Sequence, residues 1–200
     1  MRLFWLMLIL AGSTFWLIRE VQARPIARPP GVLAPRAPFQ TPLTPESEVR
    51  LEKPGYQFEP VAYFELEARV LSRRLYRYDA AAAISPVDLA LGWGRMSDTA
   101  VIRQLSIRQS DRFYFYAWRG DPPIPVGEIV VSSANMHLIP GNDNIRVRLE
   151  RLKPGNLVRI RGFLVNVKGP NGFYWNTSTI RHDTGNGACE IVWVADLVVR

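Results

Sequence analysis

Leu157-Val158-Arg159-Ile160-Arg161-Gly162-Phe163-Leu164-Val165-Asn166-Val167 is the stretch on which the fold turns. Large apolar and β-branched residues dominate it, which marks a strand. Gly162 in its middle predicts a bulge or a sharp bend. Lys153-Pro154-Gly155-Asn156 stops the element before it, and Gly169-Pro170-Asn171-Gly172 turns the chain after it. Phe173 to Thr179 is then expected to pair back as a hairpin. Strongly bent strands with a central glycine are how small β-barrels turn corners.

Further strands follow from alternation. Phe64, Leu66, Ala68 and Val70 interleave with Glu65, Glu67 and Arg69, the pattern of a half-buried strand. In the next, Val87, Leu89, Leu91 and Trp93 point one way, and Asp88 and Ala90 the other. Arg112 to Trp118 is rich in aromatics on both faces. Glu128 to Ser132 reads as a strand, and so does Cys189 to Val194, with Leu197 to Val199 continuing it past a kink at Ala195-Asp196. Two short helices complete the pattern. One starts at Ser97-Asp98 and carries Ala100 to Leu105. The other is capped by Asn142 and carries Ile145, Leu149 and Leu152. The expected fold class is mainly β (α+β): a small barrel of six or seven strands with two short helices.

The N-terminus has a different character. Leu3 to Ile18 is a run of sixteen residues without charge, preceded by Arg2 and closed by Arg19-Glu20. An apolar run this long is close to the lower limit for a membrane span, about 17 residues. Arg19 can snorkel and extend it. Phe4, Trp5, Phe15 and Trp16 sit near its ends, as interfacial aromatics do. The segment is expected to be an uncleaved transmembrane anchor. A cleaved signal peptide is the alternative, with Val21-Gln22-Ala23 as the candidate site. Residues 24–60 hold nine prolines, from Pro25 to Pro60, and read as an extended linker. The domain organisation is therefore 1–23 anchor or signal, 24–60 proline-rich linker and 61–200 folded domain. The folded part is expected to be extracytoplasmic.

The net charge is +7, and all but three of the 25 basic residues are arginine. Arginine suits carboxylate, phosphate and aromatic partners, although ordinary solubility charge or attraction to lipid headgroups explains the excess as well. Cys189 is the only cysteine, which excludes an intrachain disulfide and a multi-thiolate metal site.

The passage Gly155-Asn156-Leu157-Val158-Arg159-Ile160-Arg161-Gly162-Phe163-Leu164 resembles the bent strand of OB-fold barrels. That resemblance implies a small Greek-key barrel binding oligonucleotides, oligosaccharides or proteins on one sheet face. Trp93-Gly94-Arg95-Met96-Ser97-Asp98, Ser133-Ala134-Asn135-Met136-His137-Leu138-Ile139-Pro140 and Asp183-Thr184-Gly185-Asn186-Gly187-Ala188-Cys189-Glu190 resemble segments of an uncharacterised group of bacterial membrane-anchored proteins. That likeness spans most of residues 70–195 and implies no activity.

Catalytic signals are thin. Asp183-Thr184-Gly185 matches the aspartic protease tripeptide, but Thr179-Ile180-Arg181-His182 replaces the apolar strand that should precede it, and Asn186 follows it. His137, His182, Asp183 and Cys189 share no metal-ligand spacing, and Cys189 sits in an apolar strand. No metal or cofactor is expected. The better signals are for binding. Tyr114, Tyr116 and Trp118 share one face of a strand, with Arg112 beside them. Tyr174 lies on a second aromatic strand near Arg161 in the pattern of a stacking surface. Trp93-Gly94-Arg95 leads into a helix N-terminus. Asn176-Thr177-Ser178 fits a glycosylation acceptor.

The resulting expectation is a membrane-tethered, non-catalytic binding or assembly module with a protein or polyanionic partner in the cell envelope. The alternatives are an envelope hydrolase using Asp183 with His137 or His182, and a single-strand nucleic-acid binder.

Overall fold

A computed structural model describes residues 24–44, 47–180, 182, 185 and 187–200. The described chain is mainly β, with a mixed sheet and three short α-helices. In chain order the elements are β1 (Phe39–Pro42), β2 (Gln57–Leu75), β3 (Val87–Gly92), α1 (Thr99–Ile102), β4 (Ser106–Ser110), β5 (Phe113–Ala117), α2 (Val126–Val131), β6 (Ser133–Pro140), α3 (Asp143–Arg151), β7 (Leu157–Lys168), β8 (Tyr174–Trp175) and β9 (Glu190–Val199).

Five strands close on themselves. The order runs β2-β3-β6-β9-β7, and β7 returns to pair with β2. All neighbours are antiparallel except β6 and β9. Closure is possible because β2 is long. Its first part pairs with β7 and its last part with β3, with register shifts at Pro60/Ala62 and Val70/Ser72 that bend it around the ring. Pro60 falls at one of these irregularities, where a missing N–H is tolerated.

The bend expected in β7 is present. The β7–β9 register shifts between Arg161 and Gly162. A Cβ built on Gly162 would lie 1.8 Å from the Trp193 carbonyl oxygen, so no other residue lets β9 approach this closely.

The ring is filled by Phe64, Leu66, Val70, Leu89, Leu91, Met136, Leu138, Ile160, Leu164 and Val192, among others, all buried. Helix α3 joins this core through Ile145 and Leu149. Its cap is the one the sequence predicts: Asn142 Oδ1 accepts from the Ile145 amide at 2.9 Å. Asp98 caps α1 in the same way, accepting from the Ala100 amide at 2.8 Å.

A second layer covers the outside of β3. The β4–β5 hairpin forms its own two-stranded sheet. Leu71, Ala90, Met96, Val101, Ile124 and Ile129 are buried together, with Tyr114, Tyr116 and Trp118 packed against them. The alternation expected for β3 holds, but its outward side is also buried: Asp88 and Ala90 are both at 0 % exposure.

The hairpin expected over Phe173 to Thr179 shortens to Tyr174–Trp175, and two further stretches depart from the local reading. Glu128 to Ser132 is helical rather than extended, as α2 starts directly after Pro125. Pro125 is the N-cap residue, and the Ile129 and Ser132 amides close the turn onto the Pro125 and Glu128 carbonyls. Ser133 to Pro140, assigned no element from sequence, is the central strand β6, buried on both faces, which erases alternation. Much of the proline-rich stretch also lies along the ring. The Ile26 amide donates to the Pro154 carbonyl at 2.7 Å. The Leu33 and Ala34 amides both donate to Ser97 Oγ at 3.0 Å, and β1 pairs antiparallel with β2.

Among the described residues no helix is long and apolar enough to cross a membrane. The anchor expected over 1–23 falls outside the described residues.

Candidate functional site

Four distant stretches of sequence meet at one edge of the ring and enclose a cleft of about 550 Å³. The β2–β3 connection supplies Asp79 and Ala81, the β4–β5 turn supplies Arg112, and the first residue of β5 is Phe113. Strand β6 supplies His137, and the long β7–β9 connection supplies Phe173, Tyr174, Trp175 and Cys189.

Arg112 organises the cleft. It sits in a two-residue hairpin turn in which Asp111 (φ 51°) and Arg112 (φ 67°) are both left-handed. Such turns favour Asn-Gly, since a side chain there costs roughly 1–2 kcal/mol per residue. The conformation is held by what the turn residue does. Arg112 Nε and Nη2 donate to the two oxygens of Asp79 at 3.1 and 2.7 Å. Its Nη1 donates to Asp88 Oδ1 at 2.8 Å. The guanidinium lies over the Tyr76 ring at 3.9 Å and near the Trp175 ring at 5.6 Å. Its backbone is pinned too: the Arg112 amide donates to Tyr76 Oη at 2.9 Å, and the Arg112 carbonyl accepts from Asn135 Nδ2 at 2.9 Å.

Below Arg112 lies a buried acid and imidazole. Asp88 on β3 and His137 on β6 are direct cross-strand partners. His137 Nδ1 is 2.9 Å from Asp88 Oδ2, and the His137 ring is 4.6 Å from the Trp175 ring. Asp88 is fully buried and His137 is 3 % exposed. The hydrogen bond to this buried carboxylate comes from Arg112, whereas Asp88 Oδ2 and His137 Nδ1 are close without a well-aligned hydrogen bond. Burial pushes the neighbouring Tyr76 phenol above its ordinary range, and the Asp88 carboxylate adds to that shift.

A smaller cavity of about 240 Å³ adjoins the cleft, sharing Phe113 and Cys189 with it and lined further by Tyr114, Ser133 and Asn135. Desolvation pushes the Tyr114 phenol up to about 12. Its hydroxyl is buried with no hydrogen-bond partner at good geometry among the described residues, although Ser133 lies close by.

The residues singled out from sequence separate accordingly. Arg112, Tyr174 and His137 come together in the cleft. Tyr114, Tyr116 and Trp118 turn inward against the second core, with Tyr116 and Trp118 stacked at 6.2 Å. The opposite face of β5, carrying Phe113 and Phe115, is the one left open, and Phe115 is exposed. Trp93 is buried in the ring core. Arg95 is exposed and paired with Glu128 at 3.1 Å. Arg161 lies outside the cleft and pairs with Asp196 at 2.7 Å. That contact raises the Arg161 pKa and holds the Asp196 carboxyl below its usual value. His182 is exposed, and Asp183 lies outside the described residues. Gly92 makes room for the Met96 carbonyl.

Sequence reading gave no site role to Asp79, Asp88 or Tyr76, and it placed Trp175 only as part of the second aromatic strand. An acid at an apolar strand position such as Asp88 was the available signal, because burial there demands a basic partner. Among the described residues no group of three His, Cys, Asp or Glu side chains gathers as a metal site. No family model, curated protein or solved structure matches the chain.

Proposed function

We propose that this is a non-catalytic binding module of the cell envelope, tethered by residues 1–23, and that it receives a protein partner's apolar or aromatic side chain in the cleft. The observation that carries this reading is the cleft's make-up. Its walls are aromatic, and its one arginine is already neutralised. Arg112 spends its donors on Asp79 and Asp88, so the floor has no spare positive charge for a polyanion. The mouth is aromatic and open: Tyr174, which lines the cleft, is 54 % exposed, and Ile180, which lines the adjoining cavity, is 50 % exposed. Exposed aromatics around a preformed pocket are typical of protein-binding surfaces.

An OB-type barrel is the fold we propose for the ring. What supports it is the strand order, first-second-third-fifth-fourth and back to the first, with a helix between the third and fourth ring strands. The cleft also lies between the connections after the first and fourth ring strands, the loops that carry ligands in OB barrels.

The test is partner recovery from solubilised membranes. Trp175→Ala and Tyr174→Ala abolish recovery on this reading, while Arg161→Ala leaves it unchanged. Equal recovery by all three variants counts against the cleft.

A hydrolase stands second, on one observation: the cleft brings His137 within 2.9 Å of the Asp88 carboxylate and places Cys189 in the same lining. Turnover of ester or peptide substrates that disappears in both His137→Gln and Cys189→Ala favours it. A nucleic-acid ligand predicts binding that weakens steeply with salt.

A further inference from the structure

We infer that the face formed by the end of α3, the α3–β7 turn and the end of β9 lies against the anionic headgroups of the bilayer, with the cleft held at the far end of β7. This rests on the reading of residues 1–23 as a membrane anchor, and it replaces a free stalk with a docked domain.

The chain leaves little slack. The uncharged run ends at Ile18, and by Ile26 the backbone is already fixed, donating to the Pro154 carbonyl. Arg28 adds two bonds, from Nε to the Gly155 carbonyl at 2.9 Å and from Nη2 to the Arg200 carbonyl at 2.6 Å. Gly155 is tailored to this contact: at φ +93°, a Cβ there would lie 2.1 Å from the Ile26 carbonyl oxygen. Eight residue steps from Ile18 to Ile26 span at most about 28 Å fully extended. The ring is therefore attached to the membrane segment by this corner and no other.

The same corner is basic. Ile26, Arg148, Arg151, Leu152, Lys153, Asn156 and Val199 line a shallow groove of about 310 Å³. Arg24 lies two residues before Ile26 and is exposed. The nearby acids are already engaged: Asp143 and Glu150 pair with Arg146, and Asp196 pairs with Arg161. Arg148, Arg151 and Lys153 have no ion pair among the described residues. Exposed Val147, Val198 and Val199 accompany them. Basic side chains mixed with aliphatic ones suit an anionic bilayer surface, whose attraction acts over a Debye length of roughly 8 Å at physiological ionic strength. Trp175 pairs with Val167 at the opposite end of β7 from Leu157, which keeps the aromatic wall of the cleft away from the lipid.

The test uses the full chain, with Cys189→Ser, in nanodiscs carrying headgroup-attached quencher. One dye is placed at Val147→Cys and another, in a separate sample, at Tyr174→Cys, which pairs with Lys168 at the far end of β7. With phosphatidylglycerol present, the dye at 147 is quenched and the dye at 174 is not. Quenching at 147 is lost in Arg148→Glu/Arg151→Glu/Lys153→Glu. In the wild-type background it is lost in pure phosphatidylcholine or at high salt, which keeps the test valid if the triple variant unfolds. Equal quenching at both sites, with the chain firmly inserted, overturns the docked geometry and leaves the anchor standing. A chain that does not enter nanodiscs overturns the anchor and the inference together.

Discussion

His137 Nδ1 lies 2.9 Å from Asp88 Oδ2, across two paired strands and almost wholly out of solvent. Arg112 binds the other oxygen of the same carboxylate. Removing Asp88 leaves both bases without their buried acid. Asp88→Ala is expected to destabilise the domain by about 3–5 kcal/mol in urea unfolding. The double variant Asp88→Ala/Arg112→Ala is expected to lose less than the sum of the single variants. Additive losses contradict the network.

The turn at Asp111-Arg112 gives a second test. Arg112→Ala removes the ion pairs and keeps a side chain at positive φ. Arg112→Gly removes the same pairs and relieves the backbone. The glycine variant is expected to be the more stable of the two by about 1 kcal/mol, compared by chemical denaturation. The reverse order contradicts the left-handed turn.

Ring closure depends on Gly162 more than on any other glycine. Gly162→Ala forces a methyl into the Trp193 carbonyl, and a loss of about 3 kcal/mol or more is expected, with the β7–β9 pairing disrupted. Gly172→Ala is the control. Gly172 has φ +75° and nothing within 4 Å of an added Cβ, so only backbone strain of roughly 1–2 kcal/mol applies. Thermal melts of the two variants separate the clash from the strain.

Alkaline stability follows from Tyr114. In the unfolded chain its phenol ionises near 10, and in the fold at about 12. Its contribution is intact below pH 10 and is lost as pH rises towards 12, amounting to about 2–3 kcal/mol. Tyr114→Phe is expected to flatten this loss. Near neutral pH it is expected to be neutral or stabilising by about 1 kcal/mol, because the hydroxyl is buried without a well-formed partner. Absorbance titration of phenolate, followed alongside unfolding, checks both statements.

Sequence patterns revealed the elements whose determinants are local. The bend at Gly162, the caps at Asn142 and Asp98, and the two-faced character of β5 depend on residues within a few positions. Which face of β5 is buried depends on the hairpin folding back over β3, and no periodicity encodes that. Strand β6 was invisible because burial on both faces removes alternation. Helix α2 was masked by Ile129-Val130-Val131, a β-prone run whose Ile129 is buried in the second core. The cleft draws on positions 79, 112, 137 and 175, which only the ring topology brings together.

Site-specific photocrosslinking tests the proposed function most directly. A benzoylphenylalanine at position 174, in the full chain in its native membrane, faces the cleft mouth. One at position 103, which is exposed and does not line the cleft, serves as the reference. The account predicts a discrete protein adduct from 174 that is absent from 103 and is lost when Trp175→Ala is added. An adduct from 103 alone, or one from 174 that survives Trp175→Ala, contradicts it.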